Sequence, residues 1–265
     1  MPNLSRRKFL VTAAGTTAGA LWLSACGGNQ PEKASAPAVS GSGDVEVKGA
    51  TLGFIALTDA APLIIAKEKG FFDKHGVPEM KVVKQTSWAA TRDNLELGAE
   101  RGGIDGGHIL TPMPYLLTAG KITKSSQPLP MYILARLNVN GQGLSLSNEF
   151  LKEKVTISDP KIKEIADRKK ASGKLLKAAM TFPGGTHDLW MRYWLSANGV
   201  NPNSEADLVV VPPAQMVANL QTGTMDTFCV GEPWNQRAVN MKIGYTGAIP
   251  GELWEDHPEK ALTIR

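Results

Sequence analysis

Short apolar stretches alternate with amphipathic stretches along most of the chain after residue 45. Seven apolar stretches have the length and composition of strands, and they lie at residues 46–57, 80–84, 104–110, 131–139, 177–182, 208–211 and 227–230. Helical stretches separate them, and the first begins where Pro62 follows Asp59, a pair suited to a helix start. A regular alternation of strands and helices predicts an α/β fold with parallel pairing.

The pattern changes near residues 140–175, and within that interval residues 149–175 are rich in charges and sparse in large apolar side chains. This interval divides the strand–helix series, which predicts two lobes, one at residues 46–140 and the other at residues 141–265. We expect the sheets to be mixed but mostly parallel. In open sheets of this kind, ligands bind at the carboxyl ends of the strands, where loops meet helix N-termini.

The first 26 residues have the features of an export signal. Arg6 and Arg7 precede an apolar stretch at residues 9–23, in the arrangement of twin-arginine signals. The stretch holds 15 residues, fewer than the roughly 20 that cross a bilayer. Leu-Ser-Ala-Cys-Gly follows and resembles a bacterial lipobox, with Cys26 as the lipidated residue. The alternative is a chance arginine pair before an anchoring helix.

A segment rich in Gly, Ser, Pro and Ala follows the signal at residues 27–45, and we expect it to be a flexible tether. Signal, lipid and tether together predict a folded body that is held outside the cytoplasm at a membrane surface.

Charge and cysteine content exclude several other classes of protein. The formal charge is +4, but three of the 29 basic residues lie in the signal, and the remaining 26 nearly balance the 25 acidic residues. A near-neutral body has no basic surface for nucleic acid, so no nucleic-acid partner is expected. The two cysteines give no disulfide framework if Cys26 carries a lipid, and Cys229 is predicted to be a buried, inert thiol.

Motifs for catalysis or metal binding are not found in the sequence. The four histidines, His75, His108, His187 and His257, lack the short spacings of zinc sites. The sequence has no Gly-x-Ser-x-Gly elbow and no glycine-rich loop that ends in Lys-Ser or Lys-Thr. We therefore expect no enzyme, no cofactor and no metal.

Six segments resemble a known family, and they lie at residues 59–72, 91–95, 109–114, 135–143, 182–188 and 230–234. The resemblance covers about residues 51–263. It is to the nitrate-binding lipoproteins of bacterial nitrate/nitrite ABC transporters, which have bicarbonate-binding lipoproteins as close relatives. It implies a two-lobed, type II periplasmic-binding-protein-like fold that captures nitrate and nitrite between its lobes. It also implies a partner, a permease with cytoplasmic ATPase subunits, and a lipid-anchored location on the periplasmic side of the inner membrane.

Members of this family are usually much longer than this chain. The resemblance therefore implies a fold that is incomplete at its C-terminal side. We expect the missing part to complete the second lobe and to return to the first, and we expect apolar surface to be left unpaired without it.

Nitrate is small, flat and monovalent, so a site that takes it from water must supply several N–H donors, a cation and a flat enclosing face. Five positions offer such groups and match the family's ligand-contacting pattern: Trp88, Gln142, His187, Gly231 and Lys260. Gln142 offers amide donors between two glycines, and His187 follows Gly-Gly-Thr at a predicted helix N-terminus. Trp88 offers an indole face and N–H, Gly231 a backbone N–H at a strand end, and Lys260 a positive charge.

Each of these positions also has an ordinary structural interpretation. Trp88 could be a core side chain in a loop after a strand, and Lys260 could be a solvated surface charge. Gln142 and Gly231 could be turn residues, and His187 could be an exposed residue at a helix start.

Three other functions stay open on the sequence alone. The first is a bicarbonate binder of the same fold, although such sites recruit a divalent metal through an acidic residue and Lys260 at the matching position opposes a cation. The second is an enzyme that acts on a pyrimidine or a sulfonate, which would need an acid/base pair that the sequence does not reveal. The third is a truncated, non-functional remnant.

Overall fold

The structure, a computed structural model, describes residues 45–158 and 161–265. The predicted signal with Arg6, Arg7 and Cys26, and the predicted tether up to residue 44, lie outside the described residues. Within the two described ranges, no helix is both long enough and apolar enough to cross a bilayer.

Ten strands and eight α-helices are found in the described part of the chain. In chain order, the strands are β1 (Thr51–Phe54), β2 (Lys81–Lys84), β3 (Gly106–Leu110), β4 (Tyr132–Val139), β5 (Gln142–Ser147), β6 (Leu176–Met180), β7 (Ala206–Val210), β8 (Thr227–Gly231), β9 (Gly244–Ala248) and β10 (Pro258–Ile264). The helices are α1 (Ala61–Glu68), α2 (Phe71–Lys74), α3 (Trp88–Leu97), α4 (Pro112–Thr118), α5 (Lys161–Ala171), α6 (Thr186–Ala197), α7 (Met216–Gln221) and α8 (Trp234–Asn240).

The strands form two five-stranded sheets within one unit of the chain, Val45–Arg265. The first sheet has the order β2-β1-β3-β10-β4, and the second has the order β7-β6-β8-β5-β9. In each sheet four strands run in one direction, and a single strand, β10 or β5, runs antiparallel to both neighbours. The predicted α/β class and the mixed sheets are therefore confirmed, and among the described residues four strand pairings are parallel and four are antiparallel.

Local sequence signals explain where two helices begin. The hydroxyl of Ser87 accepts a backbone hydrogen bond at 3.0 Å from the first turn of α3, so it is the N-cap of that helix. Before α6, Gly184 has a left-handed φ of 74°, which favours glycine, and its N–H donates to the Asp188 carboxylate at 2.8 Å. These caps place Trp88 and His187 in the first turns of α3 and α6.

Two clusters of buried apolar side chains form the core. One cluster draws members from both sheets, such as Leu110 and Phe228, and so packs the two lobes together. The other packs α5 and α6 on the second sheet and includes Trp194 and Cys229. Cys229 is fully buried, and burial raises the pKa of its thiol well above the ordinary range, so the predicted inert thiol is confirmed.

Two crossover segments connect the sheets. The chain passes from β4 to β5 through Asn140 and Gly141, and it returns from β9 to β10 through residues 249–257. Because β10 lies between β3 and β4, residues 258–264 belong to the first sheet, and their expected place in the second lobe is wrong. The chain therefore already returns to the first sheet before Arg265. The sequence hides this strand because two of its buried residues are charged.

Two other elements depart from the expected pattern. Residues 142–147 form the strand β5, where a polar turn was one interpretation, and five of its six residues are buried. The strand was missed because small and polar residues fill it and both of its faces are covered. In the charged interval at 149–175, the helix α5 buries Ile162, Ile165 and Ala166 against the second sheet.

Candidate functional site

A polar cluster lies where the carboxyl ends of strands from the two sheets meet. We call it the Lys260 cluster, and its members are Asp59, His108, Asn138, His187, Glu259 and Lys260. Asp59 follows β1, His108 and Asn138 lie on β3 and β4, and His187 lies on α6 after β6. The members come from both lobes, so the fold must form before the cluster does.

Lys260 is fully buried at the centre of this cluster. Its Nζ donates to the Glu259 carboxylate and lies 3.1 Å from Asp59 Oδ2. The same Nζ lies 5.7 Å from the centre of the Trp88 ring, which is within the range of a cation–π contact. The interpretation of Lys260 as a solvated surface charge is therefore wrong.

A β-bulge explains why two adjacent residues of β10 contribute to one cluster. Side chains of neighbouring residues in a regular strand point to opposite faces. The pairing of β10 with β4 shifts register around Lys260, between Pro258 and Ala261. A bulge changes the direction of side chains locally. Here it allows the side chains of the neighbouring residues Glu259 and Lys260 to lie on the same side and bind each other.

Electrostatics keep both groups of this pair ionised. Burial alone would raise the pKa of Glu259, but the charge of Lys260 and the hydrogen bond from His187 hold that pKa well below its usual range. Burial alone would lower the pKa of Lys260, but Glu259 and Asp59 raise it above its ordinary value. Lys260 is therefore a buried cation at neutral pH.

His187 is fully buried between a hydroxyl and a carboxylate. Its Nε2 lies 2.8 Å from Glu259 Oε1, and its Nδ1 lies 2.5 Å from Thr181 Oγ1. A carboxylate only accepts, so Nε2 carries the hydrogen and Nδ1 accepts from the hydroxyl of Thr181. Burial and then the charge of Lys260 lower the pKa of His187, although Glu259 opposes them. The exposed position that was one interpretation of this residue is wrong.

Asp59 and Asn138 complete the hydrogen bonding of the cluster. Asp59 Oδ1 lies 2.6 Å from His108 Nε2, and the other ring nitrogen of His108 accepts from the Ile55 N–H at 3.5 Å. The Asn138 amide donates to Asp59 Oδ2 at 3.2 Å and to Glu259 Oε2 at 3.0 Å. Asp59 was expected to cap a helix, but its carboxylate binds these partners in the cluster.

Gln142 lies beside the cluster as the first residue of β5 and is buried. Its Nε2 lies 2.8 Å from His257 Nε2, and His257 Nδ1 lies 2.9 Å from the carbonyl oxygen of Trp254. Nδ1 therefore carries the hydrogen of His257, and Nε2 accepts one from the Gln142 amide. The preceding Gly141 permits this packing, since a Cβ there would lie 2.1 Å from Asn138 Nδ2.

The two other expected residues also lie against the cluster. Trp88 is fully buried as the first residue of α3, rather than in a loop, and its ring centre lies 5.5 Å from that of His108. Gly231 ends β8 and pairs with Gln142. A Cβ at Gly231 would lie 3.7 Å from Asp59 Oδ2, so this backbone faces the cluster. The structure thus brings all five expected residues together.

Buried polar atoms without a hydrogen-bond partner are concentrated around this cluster. Within the described ranges they include Trp88 Nε1, Thr111 Oγ1, Asn140 Oδ1, Gln142 Oε1 and Thr186 Oγ1. A buried donor or acceptor without a partner costs about 1–3 kcal/mol, so such atoms mark places where a small polar ligand or water gains hydrogen bonds. Asn140 and Gln142 line a cavity of about 560 Å³, which Asp59 and Asn138 line as well.

The sequence analysis missed four members of the cluster: Asp59, His108, Asn138 and Glu259. It also missed two histidine–carboxylate pairs, because 72 residues separate His187 from Glu259 and 49 separate His108 from Asp59. Only the tertiary fold brings such distant residues together. The signal that could have found three of them is their position, since Asp59, His108 and Asn138 lie in or next to segments that carry the family resemblance. Glu259 lies outside those segments, and its only signal is that it directly precedes Lys260.

This architecture is the two-lobed, type II periplasmic-binding-protein-like fold. Residues 43–265 match the NMT1-like family, and the chain belongs to that family. It is 74% identical over 273 residues to the nitrate/nitrite binding protein NrtA of Synechococcus elongatus, with 100% of this chain and 62% of that protein covered. It is 42% identical over 269 residues to the bicarbonate-binding protein CmpA of the same organism, with 99% of this chain and 59% of that protein covered.

A solved structure gives the same picture. The crystal structure of the periplasmic nitrate-binding protein NrtA from Synechocystis PCC 6803 has a TM-score of 0.79 and 58% identity, and the match covers 83% of this chain and 56% of that one. The family resemblance and the fold that the motifs imply are confirmed. The chain spans 62% and 59% of the lengths of the two curated relatives.

Proposed function

We propose that the chain is the substrate-binding component of an ABC-type nitrate/nitrite importer, and that nitrate and nitrite bind at the Lys260 cluster between the lobes. One observation carries the proposal: in the described part of the chain, Lys260 is the only buried lysine or arginine. Fixed donors around a buried cation can replace the hydration shell of a small anion. The similarity to proteins named as nitrate/nitrite binding proteins favours this ligand.

Three of the expected residues have donor capacity that the described contacts leave unused. Lys260 has three N–H groups, and Asp59 and Glu259 engage two of them. Trp88 Nε1 has no partner among the described residues, and the Gln142 amide keeps a second hydrogen after its bond to His257. Lys260 Nζ lies 5.7 Å from the centre of the Trp88 ring, and Gln142 lines a cavity together with Asp59 and Asn138, which are partners of Lys260 in the cluster. We propose that the three donors converge on a planar anion there.

His187 and Gly231 have indirect roles in this proposal. His187 donates its single N–H to Glu259 and so positions the carboxylate that holds Lys260. Gly231 has no side chain, and its backbone leaves space beside Asp59 for a ligand. The five residues thus divide into three donors to the anion and two that shape the site.

Closure of the two lobes would enclose the anion. The Thr58 N–H donates to the Glu232 carbonyl oxygen at 2.9 Å, and Trp234 Nε1 donates to the Ala56 carbonyl oxygen at 3.2 Å. Both bonds join the segment after β1 to the segment that runs from the end of β8 into α8. If these bonds are lost when the lobes open, they favour closure together with the anion, and anion binding is coupled to closure.

Location and partners complete the proposal. We propose that Arg6 and Arg7 direct export, that Cys26 carries the lipid anchor, and that the body works on the periplasmic side of the inner membrane. Delivery would be to a permease with cytoplasmic ATPase subunits. The solved relative from Synechocystis is itself described as periplasmic.

We propose a binding role rather than catalysis. His187–Glu259 and His108–Asp59 have the composition of acid/base pairs. However, both ring nitrogens of each histidine are already engaged, so neither histidine is free to take a proton from a substrate. Relatives are also named as binding proteins.

Bicarbonate is the second candidate ligand. The two carboxylates of Asp59 and Glu259 are groups that could hold a divalent metal beside such an anion, and the similarity to CmpA supports this candidate. Lys260 bonds to both carboxylates and opposes a second cation between them. Nitrate is therefore the better supported ligand.

Titration calorimetry of the purified 265-residue chain tests the proposal. The titrants are sodium nitrate, sodium nitrite and sodium bicarbonate, each with and without calcium. We expect saturable heat with nitrate and nitrite that calcium does not change. Heat from bicarbonate only in the presence of calcium, with none from nitrate, would overturn the proposal.

A further inference from the structure

The Lys260 cluster carries more negative than positive charge. Lys260 supplies one positive charge, while Asp59 and Glu259 each supply one negative charge. His187 and His108 each use one ring nitrogen as an acceptor, so the hydrogen-bond pattern gives both as uncharged imidazoles. These are the charged and titratable groups that contact Lys260 or its two carboxylates, and their sum is one net negative charge.

This charge balance is unexpected for an anion site. A cation alone would attract any anion, and the attraction would grow with the charge of the anion. Here, two buried carboxylates form ion pairs with the ammonium group of Lys260: Glu259 is fully buried, and the side chain of Asp59 is 5% exposed. Buried charges are screened weakly, so these carboxylates also act on a ligand that contacts Lys260.

The carboxylates penalise a second charge on the ligand. Each negative charge on an anion is repelled by both carboxylates and attracted by one ammonium group. A divalent anion also loses more hydration energy on burial, because the cost of desolvation grows steeply with charge. A monovalent anion is weakly hydrated by comparison, so the donors and the Trp88 face can offset its transfer.

We propose that Glu259, together with Asp59, sets the charge selectivity of the site, so that it accepts a planar monovalent anion and rejects divalent oxyanions such as sulfate. This inference rests on the proposed function. Repulsion is a recognised means of specificity, because a site discriminates by what it disfavours as well as by what it binds. Glu259 also positions Lys260 and His187, through its bonds to both.

Glu259→Gln tests the inference in the full 265-residue chain. The amide keeps the shape and an acceptor oxygen but removes the charge, and the cluster becomes neutral. Calorimetric titration with sodium nitrate and with sodium sulfate at constant ionic strength gives the ratio of the two dissociation constants. We expect sulfate to gain more than nitrate, so that the preference for nitrate falls about tenfold or more. Glu100→Gln is the control, because it removes an exposed carboxylate near the opposite ends of β1 and β3.

A second variant protects the test against misfolding. Asp59→Asn removes the other carboxylate at Lys260, and it should shift the preference in the same direction. An unchanged preference in whichever variant melts cooperatively would overturn the inference. If neither variant folds, titration of the wild type with both anions is the test. Sulfate that binds to the wild type as tightly as nitrate would overturn the inference. Failure of the wild type to bind nitrate at all would instead remove the proposed function on which the inference rests.

Discussion

At the scale of single residues, we expect His187 to be the group through which the proposed nitrate site responds to pH. Burial and the charge of Lys260 lower its pKa below 6.5 in the ligand-free protein. An anion that binds nearby adds negative charge and raises that pKa, so binding takes up protons. Nitrate affinity should be highest and constant below the free-state pKa, and it should fall as pH rises to the bound-state pKa. Above that range it should level off, because Lys260 stays charged.

The measurement is nitrate titration of the wild type and of His187→Gln from about pH 5 to about pH 8.5. Glutamine can still donate to Glu259 but does not titrate, so the variant should bind more weakly at low pH and should lose the slope. The same pH dependence in both proteins would show that another group takes up the proton.

Single residues also show what the sequence could and could not predict about the site. Trp88, Gln142, His187, Gly231 and Lys260 were found through a family resemblance, and the structure brings them together. Their surroundings were not predictable, because the partners come from strands and loops far away in the chain.

At the scale of elements, the strand β10 determines the site. Its sequence contains a Glu-Lys pair that suggests a surface segment, yet it runs between β3 and β4 with both residues buried. The hydrophobic pattern did not predict this strand for two reasons. The bulge breaks the alternation of side chains, and two charged residues can be buried there because they form an ion pair with each other. The other strands at the site, such as β3 and β8, are apolar and glycine-rich, and their positions were predictable to within a few residues.

The helix α8 and the loop after β1 offer a test of lobe closure. Trp234→Phe keeps an aromatic ring but removes the N–H that donates to the Ala56 carbonyl oxygen. A hydrogen bond of this kind contributes about 0.5–1.5 kcal/mol, so nitrate affinity should fall about twofold to tenfold although no anion contact changes. Trp254→Phe is the matched control, because it alters an indole that is 66% exposed.

Small-angle scattering with and without nitrate completes this test. The wild type should become more compact with nitrate, and Trp234→Phe should need more nitrate for the same change. Identical affinity and identical compaction in the wild type and in Trp234→Phe would show that this bond has no part in closure.

At the scale of the whole molecule, the proposed export signal and lipid anchor can be tested separately. Replacement of both Arg6 and Arg7 by lysine should block export, because a receptor recognises the arginine pair and charge alone is insufficient. Cys26→Ala should leave the exported body free of the membrane, because it removes the proposed site of the lipid anchor. Cell fractionation with a salt wash measures both effects. Cys26→Ala protein that stays with washed membranes would contradict the lipobox.

The most direct test of the central claim, that Lys260 is the cation of an anion site, is the nitrate affinity of a double variant. Loss of Lys260 alone would leave two buried carboxylates without their cation, at a cost of about 3–5 kcal/mol, and could unfold the protein. Lys260→Met combined with Glu259→Gln removes one charge of each sign, and circular dichroism confirms the fold. Lys69→Met, at the exposed residue that follows α1, is the control.

The measurement is calorimetric titration of the three proteins with sodium nitrate. We expect the wild type and the control to bind nitrate equally, and the folded double variant to bind it at least about 30-fold more weakly, since loss of a buried charge partner costs about 2–5 kcal/mol. A folded double variant with the affinity of the wild type would contradict the account.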